Sequence, residues 1–223
     1  MKRLNVEVWS DFVCPWCWIE KRRLEKAAKA LPGTVEVVVS QKSYRLARGL
    51  VPEDFSSALY KKFGNRIAAD GMMDAVTQMG AIESLVYNFG TMRFGDTTDA
   101  HMLVKLADPA EQRRLIERIF SAATTEGLDI FDRSVLSGIA KDVETGGQIN
   151  FDDSRIVAEI AHDEMAANRV ANGVPLFVLN GRSYLLGARE VAVFERALLQ
   201  AAIDAPEGLA DIGAICDSEG CKI

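Results

Sequence analysis

The sequence predicts an α/β fold interrupted by a large all-helical insertion, and three observations carry that prediction. Two strand-like segments, residues 5–9 and 34–40, flank a helix near the N-terminus; a long helical stretch runs from about Pro52 to Val170; an apolar hairpin pattern returns over residues 173–186. With 223 residues and 48% hydrophobic content, the chain has enough apolar material for one domain with a sizeable insertion.

The first strand, Asn5-Val6-Glu7-Val8-Trp9, alternates polar and apolar side chains as a half-buried strand does. It leads to Cys14-Pro15-Trp16-Cys17 and then to the helix-forming run Trp18–Lys26. Pro32-Gly33 ends that helix, and Thr34–Ser40 is rich in β-branched residues, the mark of a second strand. A helical crossover between two strands implies that they run parallel, with the helix on one sheet face.

Within the insertion, Asp108-Pro109-Ala110-Glu111 combines an N-cap, a proline at the first helical position and a glutamate placed to close a capping box. Leu115, Ile116, Ile119, Phe120 and Ala123 follow as an apolar stripe at helical spacing. Further helices are expected to begin near Pro52, Ala68, Thr98, Asp132 and Asp152, separated by glycines. The methionines Met72, Met73, Met79, Met92 and Met102 favour core filling over an adaptable binding surface.

Gly173-Val174-Pro175 opens the next apolar run, which ends in Asn180-Gly181, the strongest two-residue hairpin signal. Arg182–Leu186 forms the return strand, and Val191, Val193, Phe194, Ala197, Leu198 and Ala201 mark the buried side of a last helix. Pro175 fits either the first residue of a strand, where no ladder bond is lost, or a cis peptide beside the dithiol.

A dithiol at a strand-to-helix junction suits thiol–disulfide exchange. The first sulfur sits where unpaired N–H groups and the helix dipole favour a thiolate, which makes Cys14 the attacking residue and Cys17 the resolving one. Zinc is the competing reading, but Cys216 and Cys221 lie about two hundred residues away, and His101 and His162 are not at ligand spacing. We therefore expect neither a metal nor a cofactor. Cys216-Asp217-Ser218-Glu219-Gly220-Cys221 is a possible secondary redox pair; an incidental pair or a soft-metal site are the alternatives.

The formal net charge is −6, with no dense basic run, which disfavours nucleic acid or an anionic membrane as partner. The N-terminus lacks the apolar stretch and cleavage site of a secretory signal, and no run of about twenty apolar residues is available to span a bilayer. A cytoplasmic location is the expectation.

Taken together, the strand running into Cys14-Pro15-Trp16-Cys17-Trp18, the insertion and the late Gly173–Gly181 hairpin resemble the DsbA-like thioredoxin-fold oxidoreductases, with the FrnE-like branch, related to 2-hydroxychromene-2-carboxylate isomerase, as the nearest. Thr97-Thr98-Asp99-Ala100-His101 resembles a stretch in that branch's insertion. The resemblance implies a thioredoxin-like domain from residues 1–50 and 171–205, a helical insertion over 51–170, and a tail over 206–223 carrying the second cysteine pair. It also implies that Val174 and Pro175 form a cis-proline loop opposite the dithiol, where they bind substrate together with Pro15 and Trp16. Pro175 would crowd metals away from the sulfurs. Partners would be disulfide-containing or dithiol proteins and peptides, with glutathione or a thioredoxin-type protein for recycling. The strongly oxidising members carry Pro-His between the cysteines. Pro-Trp removes that imidazole and with it the basis for expecting a strong oxidant.

Two other functional classes share this outline. Glutathione-dependent isomerases and kappa-type transferases carry serine at the position of Cys14, and a non-catalytic peptide-binding chaperone would use the insertion's apolar surface. Four further residues have open roles. A packed or capping role is favoured for His101, Trp18 fits either the rim or the core, and Glu7 and Asp11 are candidates for a buried acid that takes the proton of Cys17.

Overall fold

The computed structural model describes residues 2–145 and 149–204. A four-stranded sheet of order β2-β1-β5-β6 is built from β1 (Lys2–Ser10), β2 (Val35–Ser43), β5 (Leu176–Leu179) and β6 (Ser183–Leu186). β1 pairs parallel with β2 and antiparallel with β5, so the expected βαβ unit closes through α1 (Pro15–Ala30). Both strands of that unit run further than residues 5–9 and 34–40. Pairing extends from Lys2 with Val35 to Ser10 with Ser43, through polar positions that strand propensity undervalues.

Alternation along β1 splits the packing. Leu4, Val6 and Val8 join Leu24 and Ala27 of α1 and Phe194 and Leu198 of α8 (Val191–Ile203) in one apolar cluster. The opposite face carries Trp9, which packs with Leu176, Val178 and Ala167 of α7 (Ser154–Val170) and donates from Nε1 to the Asp163 carbonyl at 2.8 Å. Helices thus cover both sheet faces. The β5–β6 turn has positive φ at Asn180 (50°) and Gly181 (65°), the primed-turn signature that the sequence announces.

Between β2 and β5 the chain forms α2 (Phe55–Phe63), α3 (Arg66–Ile82), α4 (Thr98–Leu106), α5 (Pro109–Ser121), a π-helical turn over Ala122–Glu126, α6 (Arg133–Asp142) and α7. One two-residue ladder, β3 (Glu53–Asp54) with β4 (Arg93–Phe94), departs from the all-helical expectation. α5 starts as predicted, but its side-chain cap falls on Ala110 N, which donates to Asp108 Oδ1 at 2.9 Å. Met92 and Met102 are buried outright, and Met72, Met73 and Met79 pack at the edge of the cluster that contains Met92, in line with core filling.

α1 is tied to the loop before α8 by buried charge. Glu20 accepts from Arg189 N at 2.8 Å and from Arg23 at 2.9 Å, while Arg23 also donates to the Arg189 carbonyl at 2.8 Å and to Glu83 at 3.2 Å. Burial dominates at Glu20 and pushes its carboxyl up to about 7, against the opposing pull of Arg189 N and Arg23. A carboxyl raised in the folded state adds stability that is fully present below its unfolded value and is lost as pH rises through about 7. Glu20→Gln is therefore expected to flatten this part of the pH profile, gaining on the wild type between about pH 5 and pH 8 in urea titrations. In the same measurement, Phe177→Ala should cost about 3–5 kcal/mol. Phe177 is 1% exposed and meets Phe194 edge-on at 4.8 Å.

Candidate functional site

The site is assembled where β1 ends. Asp11-Phe12-Val13 turns the chain, with Cys14 N donating to the Asp11 carbonyl at 3.0 Å, and α1 begins with Cys14 as N-cap and Pro15 in its first turn. The cap makes no side-chain hydrogen bond, and its N-cap position puts Cys14 at the positive end of the helix dipole. Cys17 N donates to the Cys14 carbonyl at 3.0 Å. Both cysteines are free thiols, Cys14 at 6% exposure and Cys17 at 2%.

Burial pushes the Cys17 thiol well above its ordinary value and the adjoining Cys14 sulfur adds to this, while a backbone hydrogen bond from Asp11 pulls it down and the Asp11 charge opposes that pull more weakly. Asp11 is fully buried, whereas the Glu7 carboxylate is 37% exposed and paired with Lys42 at 3.4 Å. Of the two acids considered from sequence, Asp11 is thus the one under the dithiol. Its oxygens accept from Leu46 N at 2.6 Å, Thr97 Oγ1 at 2.7 Å and Val13 N at 3.4 Å.

The Val174–Pro175 peptide bond is cis, and the Val174 carbonyl lies 4.0 Å from Cys14 Sγ. Pro175 is buried and its carbonyl accepts from Gly187 N at 2.9 Å, which ties the loop to the end of β6. Val174 is half-buried against the insertion cluster that contains Cys14 and Cys17. Trp16 is half-buried at the edge of that cluster, and Pro15 is buried, its carbonyl accepting from Tyr87 Oη at 2.7 Å. Trp18 belongs to the core, at 5% exposure; its ring stacks on Phe120 at 5.9 Å and its Nε1 donates to Glu117 at 3.1 Å.

His101 is buried beneath Phe12, with ring centroids 4.9 Å apart, and its Nε2 lies 3.2 Å from the Tyr44 carbonyl and 3.8 Å from Asp11. His162 is exposed, away from these residues. Tyr87 and Thr97 escaped sequence reasoning as supports of the site, since only the fold brings them to Pro15 and Asp11. Cys216 and Cys221 lie outside the described residues. Among the described residues no group of three or more histidines, cysteines and acids could hold a metal ion, and no helix is long and apolar enough to cross a membrane.

Comparison with curated proteins returns no match. Among solved structures, a probable DsbA oxidoreductase from Streptomyces coelicolor is similar at 29% identity and a TM-score of 0.79, with 99% of each chain covered. A cytosolic disulfide reductase, DsbM, from Pseudomonas aeruginosa, solved with GSH, is 19% identical at a TM-score of 0.61, covering 89% of this chain and 98% of that one. A 2-hydroxychromene-2-carboxylate isomerase shares the fold at 13% identity and a TM-score of 0.63, covering 88% of this chain and 95% of that one. The DSBA-like thioredoxin domain matches residues 5–199. Since that match runs from the first strand through most of α8, the chain belongs to the DSBA-like thioredoxin-domain family of thiol–disulfide oxidoreductases and isomerases.

Proposed function

We propose that the chain exchanges disulfides with protein or peptide substrates through Cys14 and Cys17, working chiefly as a reductase or isomerase in the cytoplasm. The observation that carries this reading is the juxtaposition of two free cysteines on the first turn of α1 with the Val174 carbonyl, 4.0 Å from Cys14 Sγ. Cys14, as thiolate, attacks one sulfur of the substrate disulfide and expels the other as a thiol. Cys17 then loses its proton and attacks Cys14 Sγ, which releases the second substrate thiol and leaves a Cys14–Cys17 disulfide. Glutathione or a thioredoxin-type dithiol supplies the two electrons that restore the reduced pair. An extended substrate segment would lie along Val174, in strand-like pairing beside the buried Pro175, with Pro15 and Trp16 bordering the sulfur.

Within the family we place the chain in the FrnE-like branch, and the cytosolic DsbM among its structural neighbours supports the proposed compartment. The presence of cysteine at position 14 argues against the serine-based glutathione chemistry of isomerases and kappa-type transferases. A peptide-binding role without catalysis predicts that neither cysteine matters for function. Cys216 and Cys221 are proposed as a second redox pair that exchanges with the first.

Cys14→Ser is expected to abolish disulfide reduction, and Cys17→Ser to accumulate a mixed disulfide with substrate, visible by mass spectrometry under non-reducing conditions. Equilibration in glutathione buffers, followed by tryptophan fluorescence, should give a two-electron transition near the thioredoxin value of roughly −270 mV. A value near roughly −120 mV would instead make the protein an oxidant, and the absence of any reversible transition would remove the redox reading. A Cys216→Ser/Cys221→Ser variant should retain the transition and alter the rate at which it is reached.

A further inference from the structure

An open groove of about 650 Å³ runs between α1, α5 and the loop after α3. Its apolar lining comes from Trp18, Leu85, Val86 and Val143, and Val86 is 64% exposed. The charged lining is lopsided: Arg22, Arg113, Arg114 and Arg118 stand against Glu25 and Glu117. The local excess is thus positive, on a chain whose formal net charge is −6.

The two glutamates are fully engaged, whereas three of the arginines are not. Glu117 accepts from Trp18 Nε1 at 3.1 Å, Arg22 Nη2 at 2.6 Å and Lys21 Nζ at 2.5 Å, and Glu25 accepts from Lys21 Nζ at 2.8 Å and Arg113 Nε at 3.1 Å. Arg118 is held by Glu126 at 2.8 Å and Asp142 at 3.2 Å. Arg22 uses only Nη2, and its Nε is buried with no acceptor among the described residues. Arg113 uses only Nε, and Arg114 is exposed with no hydrogen bond or ion pair among the described residues. A guanidinium carries five N–H donors in a planar fork that matches a carboxylate, so this wall holds donors to spare beside an apolar surface.

The groove leads to the dithiol. Leu85 and Val86 line it, and the next residue, Tyr87, donates from Oη to the carbonyl of Pro15, the neighbour of Cys14, at 2.7 Å. Along α1, Trp18, Arg22 and Glu25 follow Cys14 at helical spacing and all three line the groove. At about 1.5 Å per residue, Arg22 lies about 12 Å along the axis from Cys14, the reach of about four extended residues.

We propose that this groove is a docking subsite for protein substrates, taking an acidic and apolar stretch that lies about four or five residues from the disulfide cysteine. The inference rests on the dithiol reading and names the kind of substrate that site prefers. Carboxylates of the stretch pair with Arg22, Arg113 and Arg114, and its apolar side chains cover Val86 and the exposed edge of the groove. A free small molecule is a poorer occupant, because ligand sites bury most of the ligand's surface and an open groove does not. A segment tethered through a disulfide engaged at Cys14 needs little intrinsic affinity, since the tether sets a high effective concentration. Complementary charge also steers such substrates toward an otherwise acidic protein.

The test has two arms, each using the full chain and Arg114→Glu, a change at an exposed side chain without partners. In the first, peptides with one internal disulfide carry, beyond a short Gly-Ser spacer on both flanks, Glu-Leu-Glu-Leu, Glu-Ser-Glu-Ser or Lys-Ser-Lys-Ser, and their reduction by the reduced protein is followed to saturation. The Glu-Leu peptide should half-saturate at a concentration about tenfold below the Lys-Ser peptide, with Glu-Ser between them, and Arg114→Glu should bring that ratio close to one while Arg114→Lys keeps it. In the second, the cysteine-free peptide acetyl-Glu-Leu-Glu-Leu amide is titrated into the labelled protein, and the amide signals of Val86 and Arg114 should shift saturably in wild type and not in Arg114→Glu. Equal half-saturation by all three peptides, a preference that survives Arg114→Glu, or a Glu-Ser peptide as good as Glu-Leu overturns the proposal, the last by reducing it to charge steering alone. Absence of saturable shifts at those amides overturns it as well. If no disulfide peptide is reduced, the dithiol reading fails and the substrate role falls with it, an outcome that the second arm distinguishes because it needs no sulfur.

Discussion

The Asp11 carboxylate is the constraint on which the site depends. A carboxyl group with no exposure must have its oxygens satisfied by the protein, because leaving a buried polar group unpaired is costly. Its partners come from three separate places: Val13 in the turn before α1, Leu46 after β2, and Thr97 at the start of α4. Each of those segments must therefore converge on the end of β1 for the fold to close. That convergence also fixes the chain direction through Phe12 and Val13, and hence where Cys14 begins its helix.

A second consequence concerns where the cysteines pack. The C-terminal half of α1 contributes Leu24 and Ala27 to the cluster on the sheet, whereas Cys14, Cys17, Trp18 and Ile19 belong to the cluster shared with the insertion. The insertion is thus the wall of the dithiol. Tyr87 Oη on the Pro15 carbonyl and Glu117 on Trp18 Nε1 hold the first turns of α1 from the insertion side. From the other side, the Val174–Pro175 loop is anchored by Gly187, so the gap facing Cys14 Sγ is bounded by two independently supported elements.

Local patterns made much of this legible from sequence. Strand alternation, the Cys-Pro-Trp-Cys junction, the aspartate caps and the Asn180-Gly181 turn each act over a few residues, and all appear near their expected positions. Features set by distant partners were not legible. β1 reaches back to Lys2 because a parallel neighbour pairs with it, and the β3–β4 ladder involves only two residues on each side. α7 continues the helical stretch in sequence yet packs on the sheet through Ala167 and the Asp163 carbonyl. Choosing Asp11 over Glu7 needed the fold as well, since both acids sit near the dithiol in sequence and only their burial separates them.

The environment of Cys17 bears on the direction of electron flow. A dithiol becomes a strong oxidant when its reduced form is stabilised, chiefly by holding a thiolate among positive partners. Here the inner thiol meets the reverse: burial and a neighbouring sulfur oppose its ionisation, and the backbone hydrogen bond from Asp11 offsets them only in part. Trp16 stands where a cationic imidazole would help, and its ring packs on the insertion cluster. Neither feature lends the reduced pair the stabilisation that oxidants rely on, and this favours the reductive direction proposed for the chain. A reluctant resolving thiol also prolongs the mixed disulfide on Cys14, which gives a substrate with several cysteines time to rearrange before release. Reduction and isomerisation are thus two outcomes of one competition, decided by how fast Cys17 sheds its proton.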